Sequence, residues 1–168
     1  MTDIMDSTLA ALRSLLGHWE GGGRAEFPTI PPHEYVEMLH FSTEADRQHI
    51  HFEQRARHRP IGSAAYGPSH WESGFLRVTA PGIIEWTNVQ DNGRLEVAQL
   101  VATITPDGLH LEGETTHFLN DPRMIRARRV IVLSGETLRY QLAMATTRIG
   151  ALTGHLIAEL QRVGTQAA

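Results

Sequence analysis

Apolar and polar residues alternate with a period of two along most of this chain, and that alternation predicts strands. From Gly17 to Phe27, the residues Trp19, Gly21, Gly23, Ala25 and Phe27 share one face, while His18, Glu20, Gly22, Arg24 and Glu26 share the other. Glycines inside a strand mark a bulge, a bend or a close backbone approach. The same reading predicts strands over Tyr35–Ser42, His49–Arg57, His70–Thr79, Ile83–Val89, Leu95–Ile104, Leu109–Phe118, Arg123–Leu133 and Thr137–Thr146. Turns such as Ala80-Pro81-Gly82, Asp91-Asn92-Gly93 and Pro106-Asp107-Gly108 separate several of them. The prolines of PTIPP, residues 28–32, read as a stiff connection, and His58–Ser69 as a long loop.

Two segments read as helices. Thr8–Leu16 places Leu9, Leu12 and Leu16 along one face behind a Ser7 N-cap, and Leu152–Val163 places Leu152, Leu156, Leu160 and Val163 on one stripe behind Thr153. Short strands joined by tight turns, with no helices between them, predict an all-β, up-and-down antiparallel sheet. Closing it removes its edges. The nine runs therefore predict an all-β, antiparallel up-and-down β-barrel, with a short N-terminal helix and a C-terminal helix.

Composition narrows the functional classes. At 168 residues, 41% hydrophobic, the chain suits a single domain spanning 1–168. It has no apolar run long enough to span a membrane, and its N-terminus lacks the basic start of a signal peptide, so the expected compartment is the cytoplasm. A formal net charge of -4 argues against a nucleic-acid partner. The arginines between Arg123 and Arg129 read as a solvated strand face. With no cysteine, disulfides, thiolate ligands and covalent c-type haem attachment are excluded. Ten histidines invite a metal or haem site. His49 and His51 share a strand face opposite Ile50 and Phe52, which turns that pair toward solvent.

Four motifs carry a resemblance: GHWEGGG at Gly17–Gly23, FPTIPPHEY at Phe27–Tyr35, HWESGFLR at His70–Arg77 and MATTRIGALTGHL at Met144–Leu156. In this order and spacing, they make the chain resemble the nitrobindins, haem-binding barrels shaped like fatty-acid-binding proteins. The resemblance implies ten strands, a non-covalent haem b, reversible binding of nitric oxide, and isomerisation of peroxynitrite to nitrate.

The resemblance also assigns site residues. His155, which by helical spacing lies on the rim of the leucine stripe, takes the position of the proximal ligand to the haem iron. Such an imidazole needs an acceptor for its second ring nitrogen, and a backbone carbonyl is the expected one. Arg123, at the start of its strand beside Ile125 and Ala127, takes the position of a basic residue suited to a haem propionate. Thr29 falls at a position close to the haem, and His70 near its distal side, packed at the cavity rim. Arg129 lies deeper on the same face as Arg123, where it requires a bulge or a buried ion pair. The competing expectation is a haem-free barrel carrying a fatty acid or other apolar ligand, anchored by Arg123 or Arg129. Strand faces that mix Val130 and Val132 with Arg126 and Arg128 leave room for a homodimer.

Overall fold

The computed structural model describes residues 2–59 and 64–164. A helix, α1 (Thr2–Arg13), leads into ten strands: β1 (Gly17–Phe27), β2 (Ile30–Ser42), β3 (His49–Arg59), β4 (Gly67–Ala80), β5 (Ile83–Gln90), β6 (Leu95–Thr105), β7 (Gly108–Leu119), β8 (Met124–Ser134), β9 (Thr137–Thr146) and β10 (Thr153–Gly164). Each strand pairs antiparallel with the next, and β1 pairs with β10 to close the barrel. The helix starts earlier than the leucine spacing indicated, so Ser7 lies within it rather than capping it.

The C-terminal helix expected over Leu152–Val163 is not formed; the segment is β10. Leucines four residues apart satisfy a period of two as well as 3.6. In β10 the alternation decides: Ala158 and Leu160 are buried while Ile157, Glu159 and Gln161 are exposed. The closing strand is worth more than an isolated helix, because without it β1 and β9 would both present unpaired edges.

PTIPP is likewise shorter as a connection than its prolines suggested. Only Pro28 and Thr29 form the turn, and Phe27 pairs with Ile30. Pro31 and Pro32 sit in β2 where the register with β1 shifts, a position that asks no ladder hydrogen bond of them. The loop expected at 58–69 lies in part outside the described residues; its described flanks continue β3 to Arg59 and start β4 at Gly67.

The inner face of β1 is the one its alternation indicates, with Trp19, Ala25 and Phe27 buried. A side chain at Gly21 or Gly23 would run into the backbone carbonyls of Glu159 or Ile157 on β10, so glycine there is what allows the barrel to close tightly. At the start of β1 the helix plugs one end. Leu12 and Leu15 are fully buried, the Trp19 indole donates to the Leu15 carbonyl at 2.8 Å, and the Arg162 guanidinium covers the Trp19 ring at 4.1 Å. The other end, where β1 finishes and β10 begins, is the mouth.

Candidate site at the barrel mouth

A cavity of about 340 Å³ runs inward from the mouth. Its walls are largely apolar, with Leu39, Phe41, Trp86, Ile131, Met144 and Leu156 among them. His155 stands at its opening because β10 is irregular there. Gly154 pairs with Ala143 and Leu156 with Leu142, which leaves His155 as the extra residue of a β-bulge. Bulges re-aim side chains, and this one brings His155 to the cavity beside Leu156.

The ring of His155 is fixed on two sides. Its Nδ1 lies 3.1 Å from the Glu26 carbonyl, and the Phe27 ring meets it edge-on with centroids 5.7 Å apart. A carbonyl only accepts, so Nδ1 carries the hydrogen and Nε2 keeps a bare lone pair. Burial lowers the pKa of His155, the Glu26 hydrogen bond opposes this, and the charges of Arg94, His33 and His70 lower it further. The result is a neutral, oriented imidazole with a free donor nitrogen, which is the form that binds iron.

His70 also lines the cavity, from β4. Its Nε2 is 3.3 Å from Glu72 and its Nδ1 is 4.0 Å from Asp91, so both ring nitrogens face carboxylates. Burial works against a proton on His70, but the hydrogen bond and charge of Glu72, with Asp91, outweigh it and raise the pKa. Glu72 is itself held by the Asn88 amide at 3.0 Å. His70 is thus placed at the rim as an ion-paired group.

Thr29 and Arg123 do not join these two. Thr29 is exposed in the β1–β2 turn, next to the cavity-lining Ile30. The Arg123 side chain is 77% exposed and grips Asp121 with both Nε and Nη2, at 2.9 and 3.0 Å. The cation that does reach the rim is Arg94, 2.9 Å from Glu96 and 3.6 Å from Asp121. Arg129 turns inward, beyond an irregularity between Met124 and Arg126, to an ion pair with Glu96 at 2.7 Å. The bulge and the buried pair expected for it are both present. With each arginine already matched to a carboxylate, neither Arg123 nor Arg129 is a free anchor for a fatty acid.

Midway down, the cavity carries a polar belt, which no motif announced. Tyr35, Gln54 and Tyr140 line it. Tyr140 donates to the buried Glu37 at 2.9 Å, and Gln54 donates to both. Parity along β2 holds the signal that could have found Glu37, since it is in phase with Tyr35, Leu39 and Phe41. His49 and His51 lie beside Phe75, on the outside. Among the described residues, no three histidines or carboxylates are grouped to hold a bare metal ion.

A closed barrel with a plugged end, an internal cavity and one carbonyl-locked imidazole at its mouth defines a ligand-holding β-barrel able to ligate an iron porphyrin. The chain belongs to the THAP4-like, heme-binding β-barrel domain family, whose profile matches residues 8–162. It is 33% identical over 160 residues to a peroxynitrite isomerase of Nocardia farcinica, covering 92% of this chain and 90% of that one. It is 35% identical over 162 residues to peroxynitrite isomerase 2 of Mycobacterium marinum, covering 92% and 94%. The crystal structure of Rv2717c from M. tuberculosis superposes with a TM-score of 0.82 at 30% identity, covering 93% of this chain and 97% of that one. An S-type phycobiliprotein lyase of Guillardia theta shares the fold, with a TM-score of 0.60 at 9% identity, covering 96% and 93%.

Proposed function

We propose that this chain binds haem b non-covalently, with His155 as the axial ligand of the iron, and isomerises peroxynitrite to nitrate, so scavenging reactive nitrogen in the cytoplasm. Nitric oxide is a reversible ligand of the same iron. The observation that carries the reading is the His155 ring, with Nδ1 committed to the Glu26 carbonyl and Nε2 bare at the mouth of an apolar cavity. Family membership and the names of the relatives support it.

When bound, the haem supplies a Lewis-acidic iron with an open coordination position. The chain supplies the rest. His155 gives its lone pair, the Glu26 carbonyl holds the tautomer and the plane of the ring, and Phe27 limits its rotation. Leu39, Phe41, Trp86, Ile131 and Leu156 supply the apolar part of the cavity wall. Isomerisation moves no net proton, so the reaction requires no acid–base pair.

Titration of the purified protein with haemin tests the assignment. A Soret band that shifts and saturates at one equivalent is expected, and it should fail to develop in His155→Ala. The loaded protein should then speed peroxynitrite decay with nitrate as product. Saturable uptake of a fatty acid with no haem spectrum would overturn the proposal.

A further inference from the structure

The wall that faces His155 carries a cation to which the haem reading gives no task. In the closed ring of ten strands β5 lies five places from β10 in either direction, so the β5–β6 hairpin stands across the mouth from His155. Its own polar groups fix its shape. The Gln90 amide donates to the Arg94 carbonyl at 2.9 Å, the Arg94 amide donates to Asn92 Oδ1 at 2.9 Å, and the Asn120 side chain donates to the Gly93 carbonyl at 3.1 Å. Arg94, at the foot of this turn, lines the cavity.

Arg94 is drawn inward without being saturated. Its side chain is 14% exposed and approaches Glu96 through Nε at 2.9 Å and Asp121 through Nη1 at 3.6 Å, which leaves Nη2 for a ligand. Nε makes no hydrogen bond of good geometry among the described residues. Both carboxylates also serve other cations: Glu96 pairs with Arg129 at 2.7 Å, and Asp121 accepts two side-chain hydrogen bonds from Arg123. Three guanidinium groups therefore share two carboxylates. The other carboxylate on the cavity wall, Glu72, is engaged by His70 and by the Asn88 amide, and the pair is neutral when His70 carries its proton. Asp91, 4.0 Å from His70, is 47% exposed and screened by water. The charge of Arg94 reaches both His155 and His70, which agrees with a place between them.

We infer that Arg94 is the anion-binding residue of the ligand pocket, holding negatively charged ligands, the peroxynitrite anion and the nitrate product among them, on the side of the haem opposite His155. This rests on the haem reading and deepens it. The two axial positions of a porphyrin iron lie on opposite sides of its plane, so a ligand bound across from a β10 imidazole is turned toward the β5–β6 wall. A guanidinium there presents its N–H groups as a fixed fork, which suits the flat oxygen edge of nitrate, and its charge favours an anion over a neutral ligand of the same size. The position stays open, and Arg94 sets what prefers to enter it.

The test loads wild type, Arg94→Met and Arg94→Lys with one equivalent of haemin. Each ferric protein is titrated with azide, an anion, and with imidazole, which is neutral, and the Soret band is followed. Loss of a charge-assisted contact should weaken azide about tenfold or more in Arg94→Met, with imidazole affinity unchanged and Arg94→Lys between the two. Should Arg94→Met fail to load, the same selective weakening is read on Arg94→Lys, which keeps a cation beside Glu96 and Asp121. The same fork would also suit a haem propionate, so uptake of haemin is compared with uptake of its dimethyl ester. Azide affinity that is unchanged, or that falls together with imidazole affinity, overturns the inference. A variant that loses its preference for haemin over the ester while azide binding is unchanged overturns it as well, and assigns Arg94 to a propionate. Each of these results leaves the His155 assignment standing, whereas a wild type that takes up no haemin overturns both.

Discussion

The Tyr140 hydroxyl donates to Glu37 across the barrel interior at 2.9 Å, joining β9 to β2 through a carboxyl that is 3% exposed. Gln54 donates to the same Oε2, while Oε1 is buried with no partner among the described residues. Burial raises the pKa of Glu37 from 4.5 to about 7, against the lowering effect of these two donors and with a further push from Glu72. The interior therefore holds a carboxylic acid that stays protonated well above the pH at which an exposed one ionises.

The sign of the consequence follows from proton linkage. Between pH 4.5 and 7 the folded state keeps the Glu37 proton while the unfolded chain loses it, so stability falls as pH rises through this window. Above pH 7 the full penalty, about 3 kcal/mol for a shift of this size, is present. Glu37→Gln cannot ionise and should remove it. Urea unfolding at pH 5 and pH 8 is the measurement: the wild type should lose stability between them, and the variant should lose clearly less and be the more stable of the two at pH 8. Equal slopes for both would refute the assignment.

Glu96 is the hinge of a second buried network. It lies 2.7 Å from Arg129 and 2.9 Å from Arg94, in both cases closer in distance than in hydrogen-bond angle, and it accepts from Gln90 at 3.1 Å. Its side chain is 1% exposed and that of Arg129 is 10% exposed. Removing one partner of a buried pair leaves an uncompensated charge and costs about 3–5 kcal/mol. Glu96→Gln takes the paired carboxylate from Arg129 and leaves Arg94 with Asp121 alone, whereas Arg129→Met leaves Glu96 with Arg94. The glutamate substitution should therefore lower the urea midpoint more than the arginine substitution. The reverse order would mean that Arg94 does not depend on Glu96.

How much of this was legible in the sequence divides by mechanism. Alternation placed β1 and found the inner face of Trp19, Ala25 and Phe27, because a half-buried strand writes its burial into every second residue. It failed at β10, where Leu156 and Leu160 fit both periods and only pairing with β1 and β9 decides. His155 was legible as a position, but its aim was not: that comes from a bulge between Gly154 and Leu156, a register event with no mark in composition. Arg123 was placed beside the interior by counting alternate residues from Ile125 and Ala127. The shift between Met124 and Arg126 breaks that count, and Ile125 is 54% exposed while Ala127 is buried. Glu37 was readable by parity as an inward carboxyl, but in β4 the sequence points the other way: Trp71 and Phe75 read as cavity lining, yet they are 49% and 46% exposed, and Glu72 of the alternate phase is the buried residue.

The closure of the barrel depends on Gly21, and this gives a prediction independent of any ligand. Gly21 pairs with Leu160 on one side and Glu37 on the other, at the middle of β1. A methyl group there would press on the Glu159 carbonyl and the Leu160 Cα, which are backbone atoms and cannot rotate away. Relief requires β1 and β10 to separate locally, and overpacking of this kind costs about 1–3 kcal/mol. Gly150, by contrast, has open space around its Cα, so an alanine there meets nothing. Gly21→Ala should lower the melting temperature and speed amide exchange along β1 and β10, while Gly150→Ala should leave both near the wild-type values. Protection along β10 that is unchanged in Gly21→Ala would show that the two strands are not held together by close backbone approach at this point.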